Sequence, residues 1–255
     1  MSEIATDRAG GHEPVRIAMW SGPRNISTAM MRAFENRDDC AVWDEPFYAA
    51  WLERTGIDHP MREEILAAHE TDWRKVAERA AAPAPDGSPI FYQKHMTHHM
   101  VEGIGRDWMG ACRHAFLIRH PARVLASYAR KRADPVLADI GFVEQAELFE
   151  MASELCGRRP PVVDADDLLA DPRGILTALC AALEIPFSER MLAWPAGRRE
   201  SDGVWAEHWY DAVWRSTGFQ PAQPAPVLGE PRLRQVEAAA LPIYERLAAE
   251  RLRAI

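Results

Sequence analysis

The sequence is short of every feature that would take it outside the ordinary globular classes. Only four of its 255 residues are cysteine: Cys40, Cys112, Cys156 and Cys180. None forms a Cys-x-x-Cys pair, so a disulfide-stapled scaffold is excluded and zinc-ribbon or thioredoxin-type chemistry lacks its ligands. Scattered thiols fit a reducing compartment, and a cytoplasmic location is the expectation. No apolar run approaches the ~20 residues of a membrane span. Residues 1–14 are polar, lack the apolar core of a signal peptide, and are expected to form a flexible tail. Positive charge is in deficit, with 30 Lys and Arg against 38 Asp and Glu and a net charge of −8. That argues against broad binding to nucleic acid or an anionic membrane, but not against one small anion in a local basic pocket. The phosphate-loop pattern GxxxxGK[ST] and the zinc pattern HExxH are both missing.

What is present is a chain that is 47% hydrophobic and 27% charged, enough for a sizeable core. Val15–Trp20 (VRIAMW) reads as a buried strand, and Gly22, Pro23 and Asn25 mark a turn after it. Met30, Met31 and Phe34 follow helical spacing, so a helix begins near Ser27. Further strand candidates are Cys40–Trp43, Ile90–Gln93, His114–Ile118 and Pro161–Val163. Helical spacing runs over 60–82, from Pro121, over Phe142–Cys156, and from Asp171-Pro172 to Leu183. Asp171 there suits an N-cap, and Pro121 and Pro172 suit the first helical position. Strands alternating with helices predict an α/β fold: a parallel sheet in three layers with helices on both faces. Residues 15–255 are read as one domain. Within it, a Trp- and Pro-rich segment at about 187–230 is read as a lid, and a C-terminal helix is expected at about 233–253.

Ligands of an open parallel sheet bind outside the carboxyl ends of its strands. At those ends stand Ser21, Arg24, Ser27 and Thr28, then Asp44 and Glu45, then Lys94 and His95, then Arg119, then Asp164. Together they predict an anion site with acid–base groups beside it. The turn SGPRNIST has the mechanics of a phosphate cradle, with backbone N–H groups at a helix N-terminus, the Arg24 fork, and two hydroxyls. An ordinary strand–turn–helix connection is the alternative. In FLIRHPARVLASY, Arg119 ends a strand and Ser127 lies on the next helix, within reach of a phosphate held by Arg119. Here the alternative is a surface arginine and a serine bonded to its own helix.

Taken together, the two clusters resemble the sulfotransferase family. The first, Pro23-Arg24-Asn25-Ile26-Ser27-Thr28, is similar to the loop that binds the 5'-phosphosulfate of 3'-phosphoadenosine-5'-phosphosulfate (PAPS). Arg119 and Ser127, eight residues apart, match the pair that binds the 3'-phosphate. Asp166-Asp167-Leu168, Asp171-Pro172 and Ile185-Pro186-Phe187 extend the likeness, which covers about residues 15–190. The resemblance implies a P-loop NTPase-like sulfotransferase fold, PAPS as donor without a metal, and a small hydroxyl- or amine-bearing acceptor. Three departures stand out. Ile26 replaces a frequent glycine, and a β-branched residue resists positive φ, so a loop of different conformation is expected. Ala165 replaces a frequent tyrosine. The C-terminal Arg-Lys-Gly-type segment is not evident.

Sulfuryl transfer needs fixed positive groups on the leaving phosphate and a base for the acceptor proton. Arg24 and Lys94 are the candidates for the first task, and Glu45 and His95 compete for the second. Glu45 resembles the glutamate of some bacterial and Golgi-type members, and His95 stands near the place of a Lys-x-His segment. His95, His98 and His99 could also share a helical face as metal ligands, or simply pack. Trp205, Trp209 and Trp214 could line an acceptor pocket or serve as core. Alternative functions are a divergent P-loop kinase or nucleotide hydrolase, a catalytically silent nucleotide-binding module, and a pyridoxal-phosphate enzyme with Lys94 as its imine-forming amine.

Overall fold

The computed structural model describes residues 13–130, 134–224 and 226–255. The expected tail falls almost wholly on residues 1–12, outside the described residues. Five strands form the sheet: β1 (Val15–Ser21), β2 (Cys40–Asp44), β3 (Ile90–Met96), β4 (Arg113–Ile118) and β5 (Val162–Asp164). Their order is β2-β3-β1-β4-β5, and every neighbouring pair is parallel. The helices are α1 (Ser27–Glu35), α2 (Tyr48–Thr55), α3 (Arg62–Ala68), α4 (Trp73–Ala81), α5 (Pro121–Tyr128), α6 (Phe142–Cys156), α7 (Ala165–Ala170) and α8 (Pro172–Ala182). Three more follow: α9 (Ala206–Trp209), α10 (Asp211–Trp214) and α11 (Pro231–Ala248).

The period-2 alternation of β1 divides its side chains between two cores. Ile17 and Met19 pack with Met30, Met31 and Phe34 of α1 and with Ile175, Leu176 and Leu179 of α8. On the opposite face Ala18 and Trp20 pack with Val76 of α4, Leu148 and Phe149 of α6, and Leu247 of α11. Full burial of side chains of this size contributes roughly 1.5–3 kcal/mol each, so the central strand is held from both sides. This is the three-layer parallel sheet expected from the alternation of elements.

Strand β3 runs three residues further than its apolar run, because Ile90–Met96 pairs along its length with Val15–Ser21 of β1. Lys94 and His95 therefore lie within a central strand, not after it. The helical stretch at 60–82 is two helices, the second capped by Asp72, whose Oδ1 accepts from the Arg74 N–H at 2.9 Å. Helix α11 stops before Arg253 because the Leu252 N–H donates to the Val162 carbonyl at 2.8 Å, turning the chain along β5. At the carboxyl edge, β1 has β3 on one side and β4 on the other. The chain after β1 crosses to β2 beyond β3 and later returns to β4, so a crevice opens between the ends of β1 and β4.

Candidate active site at the carboxyl edge of the sheet

The turn after β1 adopts a conformation that its residue types do not favour. Ile26 has φ 57° and ψ 19°, and Arg24 has φ 63°, both left-handed. This corrects the expectation for position 26: the β-branched side chain does take the glycine-like conformation. Such a residue costs about 1–2 kcal/mol, and the side chain of Ile26 is partly repaid by packing on the α1 core. No side chain caps α1, so the N–H groups of its first turn remain open to an anion. Ser27, Thr28 and Ala29 of that turn line a cavity of about 400 Å³. Asn25 does not join them. It is buried and donates from Nδ2 to the Leu117 carbonyl at 3.4 Å, which ties the turn to β4. Pro23 lines a smaller, adjoining cavity.

The second cluster meets the first. Arg119 donates from Nη1 to the Arg24 carbonyl at 2.9 Å, and Arg24 donates from Nε to Ser127 Oγ at 2.9 Å. Arg130, which sequence reasoning passed over, reaches the same Oγ at 3.5 Å. Arg123 turns away, bound to Asp166 at 2.9 Å and to the Gln223 carbonyl at 2.6 Å. Arg24, Arg119 and Arg130 all line the larger cavity, and among the described residues no carboxylate does. Burial, then repulsion from Arg130, pushes the Arg24 guanidinium below its usual range. Arg119 is lowered by burial and by its neighbouring arginines, with Asp166 only partly opposing. The buried Nε of Arg119 has no partner.

The smaller cavity, about 80 Å³, shares Arg24, Ser27, Thr28, Trp209 and Tyr210 with the larger one. Its floor is an ion-pair network. Lys94, 1% exposed, donates from Nζ to Asp44 Oδ1 at 2.8 Å, Glu45 Oε1 at 2.5 Å and the Tyr210 hydroxyl at 2.9 Å. Tyr210 in turn donates to Asp44 Oδ2 at 2.7 Å and accepts from Trp205 Nε1 at 3.2 Å. Burial alone would lower the Lys94 ammonium, but Asp44, Glu45 and Tyr210 outweigh it and hold it well above its usual range. It is thus a committed cation, unsuited to be an imine-forming amine, which must be neutral to attack. Glu45 sits at φ 41° just past β2. Burial pushes its carboxyl up to about 7, with Lys94 pulling down and Asp44 pushing up.

His95 is not in this site. Alternation along β3 sends it through the opposite face of the sheet, stacked on Trp20 at 4.6 Å and packed by Phe47 and Trp108. Its Nε2 bonds Gln93 Oε1 at 3.1 Å, and burial brings its pKa down to about 3. The expectation of a base at position 95 is therefore corrected: the residue is a neutral core histidine. Nor does it join His98 and His99 as a ligand set. Among the described residues no three His, Cys, Asp or Glu side chains converge as a metal site. The tryptophans divide between the two readings. Trp205 is core, 1% exposed, Trp209 lines both cavities, and Trp214 donates to Asp202 Oδ2 at 2.9 Å.

An uncapped helix and gathered arginines thus meet at the carboxyl edge of a parallel α/β sheet of the P-loop-like fold. Residues 15–251 match the Sulfotransferase domain family, and the chain belongs to it. The sulfotransferase domain of the Synechococcus PCC 7002 olefin synthase superposes with a TM-score of 0.54 at 16% identity, covering 89% of this chain and 95% of that one. Two curated Arabidopsis thaliana proteins are nearer in sequence. Branched-chain-amino-acid aminotransferase-like protein 1 is 40% identical over 84% of this chain and 38% of its own length. Branched-chain-amino-acid aminotransferase-like protein 2 is 38% identical over 82% of this chain and 37% of its own. The chain thus spans under two fifths of the length of these relatives.

Proposed function

We propose that this chain transfers a sulfuryl group from PAPS to a small hydroxyl- or amine-bearing acceptor. The observation that carries the reading is a cavity lined, among the described residues, by three arginines and no carboxylate, in a chain of net charge −8. About 400 Å³ suits a nucleotide. Arg119, with its unpartnered Nε, and Ser127 would take the 3'-phosphate. The first-turn N–H groups of α1, with Ser27, Thr28 and Arg24, would take the 5'-phosphosulfate. Charge grows on the bridging oxygen as the sulfuryl group departs, and fixed donors beside it need no reorganisation. The acceptor would enter the smaller cavity, where Glu45 Oε2 takes its proton. Lys94 is already bound to two carboxylates, so it holds Glu45 in place and leaves the departing phosphate to Arg24 and the helix. Pro23, Asn25 and Ile26 shape the loop. The segment carrying Trp209 and Tyr210 borders both cavities and would serve as the lid.

Calorimetry with adenosine 3',5'-bisphosphate tests the reading. Micromolar binding is expected, and no binding at millimolar nucleotide contradicts it. Arg119→Ala removes charge-assisted hydrogen bonds worth about 1.5–3 kcal/mol, so affinity is expected to fall about 10- to 150-fold. The loss should be much smaller for adenosine 5'-phosphate, which lacks the 3' group. A core role for His95 makes a separate prediction: His95→Gln lowers thermal stability by about 1–3 kcal/mol and leaves the pH dependence of turnover where it was. Loss of the acid limb in that variant would return the base to position 95.

A further inference from the structure

Resting on the donor and base assigned above, we propose that His99 is a positioning residue that holds the acceptor atom against Glu45, and that it selects a hydroxyl over an amine. His99 ends the short helical turn Thr97–His99 after β3 and lines the smaller cavity. Its ring stacks against Tyr48 at 4.6 Å and against Trp51 at 4.9 Å, with interplanar angles of 27° and 26°. Only 2% of the residue is exposed. Its two nitrogens have unequal surroundings. Nδ1 is buried without a partner, whereas Nε2 lies 4.0 Å from Glu45 Oε2.

The proton of a neutral imidazole goes where it costs least. On Nδ1 it would be a buried donor with nothing to bond, and such donors are rarer and costlier than unpaired acceptors. On Nε2 it faces a carboxylate. The favoured tautomer therefore carries its hydrogen on Nε2. Burial, with His98, His59 and Lys94 nearby, keeps the ring from taking a second proton.

A gap of 4.0 Å is too long for a direct hydrogen bond but fits one bridging atom. An oxygen at about 2.7 Å from each partner subtends an angle of roughly 95°, within reach of a hydroxyl. That hydroxyl donates its hydrogen to Glu45 Oε2 and accepts the Nε2–H of His99 with one lone pair. Its second lone pair stays free to attack sulfur. In the transfer, the acceptor O–H bond breaks with its proton passing to Glu45, and the O–S bond forms. The bond from sulfur to the 5'-phosphate oxygen breaks, and its electron pair stays on that oxygen. The products are a sulfate monoester, adenosine 3',5'-bisphosphate and a protonated Glu45. A neutral amine has a single lone pair. If it accepts from His99 it has none left for sulfur, and if it attacks sulfur it leaves the buried N–H of His99 unpaired.

Two measurements test this. Nitrogen-15 NMR of the labelled protein reads the tautomer with no substrate present. Protonation at Nε2 is expected, and protonation at Nδ1 or at both nitrogens overturns the proposal. Sulfuryl transfer from PAPS is then compared for phenol and aniline, which match in shape. Wild type should favour phenol about 100-fold. His99→Phe, which keeps the stack on Tyr48 and Trp51, should lose most of that preference. His99→Gln, which can offer an N–H near the Nε2 position, should restore part of it. Comparable rates for aniline and phenol in wild type, or an unchanged ratio in His99→Phe, overturn the proposal. Failure of bisphosphate binding would instead strike at the donor assignment, and the tautomer measurement would stand apart from it.

Discussion

Replacing Glu45 with glutamine is expected to lower turnover about 10²- to 10⁴-fold while changing bisphosphate affinity less than about threefold. Glutamine keeps the shape and can still accept from Lys94, but it cannot take a proton. The pH profile follows from the same group. Burial raises the Glu45 carboxyl to about 7 against the pull of Lys94. Below that value the carboxyl is protonated and cannot accept the acceptor's hydrogen. The value of kcat/KM should therefore rise with pH through an apparent pKa near 7 and level off above it. The apparent pKa is that of Glu45 in the fields of Lys94 and Asp44. Residual activity in Glu45→Gln should lack this limb. Wild-type turnover in that variant would remove Glu45 from the role of base.

A second large effect is expected at Lys94. Lys94→Met removes the cation and leaves Asp44 and Glu45 buried side by side. Breaking a buried ion pair in this way costs about 3–5 kcal/mol. For a chain of this size that corresponds to a fall in Tm of about 10 °C. Without the pull of Lys94, burial and the neighbouring Asp44 hold the folded-state pKa of Glu45 still further above its unfolded value. The folded state then binds more protons than the unfolded chain, so the stability of the variant falls as pH rises through that window. Thermal melts of Lys94→Met should show it nearer to wild type at pH 5 than at pH 8. An unchanged Tm, or a variant most stable at alkaline pH, would contradict the ion-pair account.

Much of the fold is legible in the residue order because the signals are local. Apolar runs bounded by Gly, Pro and Asn mark β1 and β4, and Asp171-Pro172 caps α8 as its residue types require. The length of β3 is not local. Lys94 and His95 are polar, and only pairing makes them strand: both pair with β1, and Lys94 also pairs with β2. That pairing also decides which of the adjacent residues Lys94 and His95 reaches the site, since one step along a strand exchanges the faces of the sheet. Ile26 is a case of tertiary context overriding propensity, with the surrounding packing holding a conformation the residue resists. The arginine cavity is half legible: Arg24 stands in the turn after β1, Arg119 at the end of β4 and Ser127 on α5, while Arg130 has no motif to mark it. Tyr210 carries no local signal as a site residue, and His99 is legible only as a possible metal ligand. One comes from the Trp-rich segment, 116 residues after Lys94, and the other from a helical turn whose register only the fold supplies.

The central claim is that Arg119 and the turn opening α1 hold the two ends of one nucleotide. A crystal structure with adenosine 3',5'-bisphosphate tests it most directly. The account predicts the 3'-phosphate on Arg119 and Ser127, and the 5'-phosphate on the backbone N–H groups of Ser27, Thr28 and Ala29. A nucleotide bound away from these groups, or with its 3'-phosphate in solvent, would contradict it.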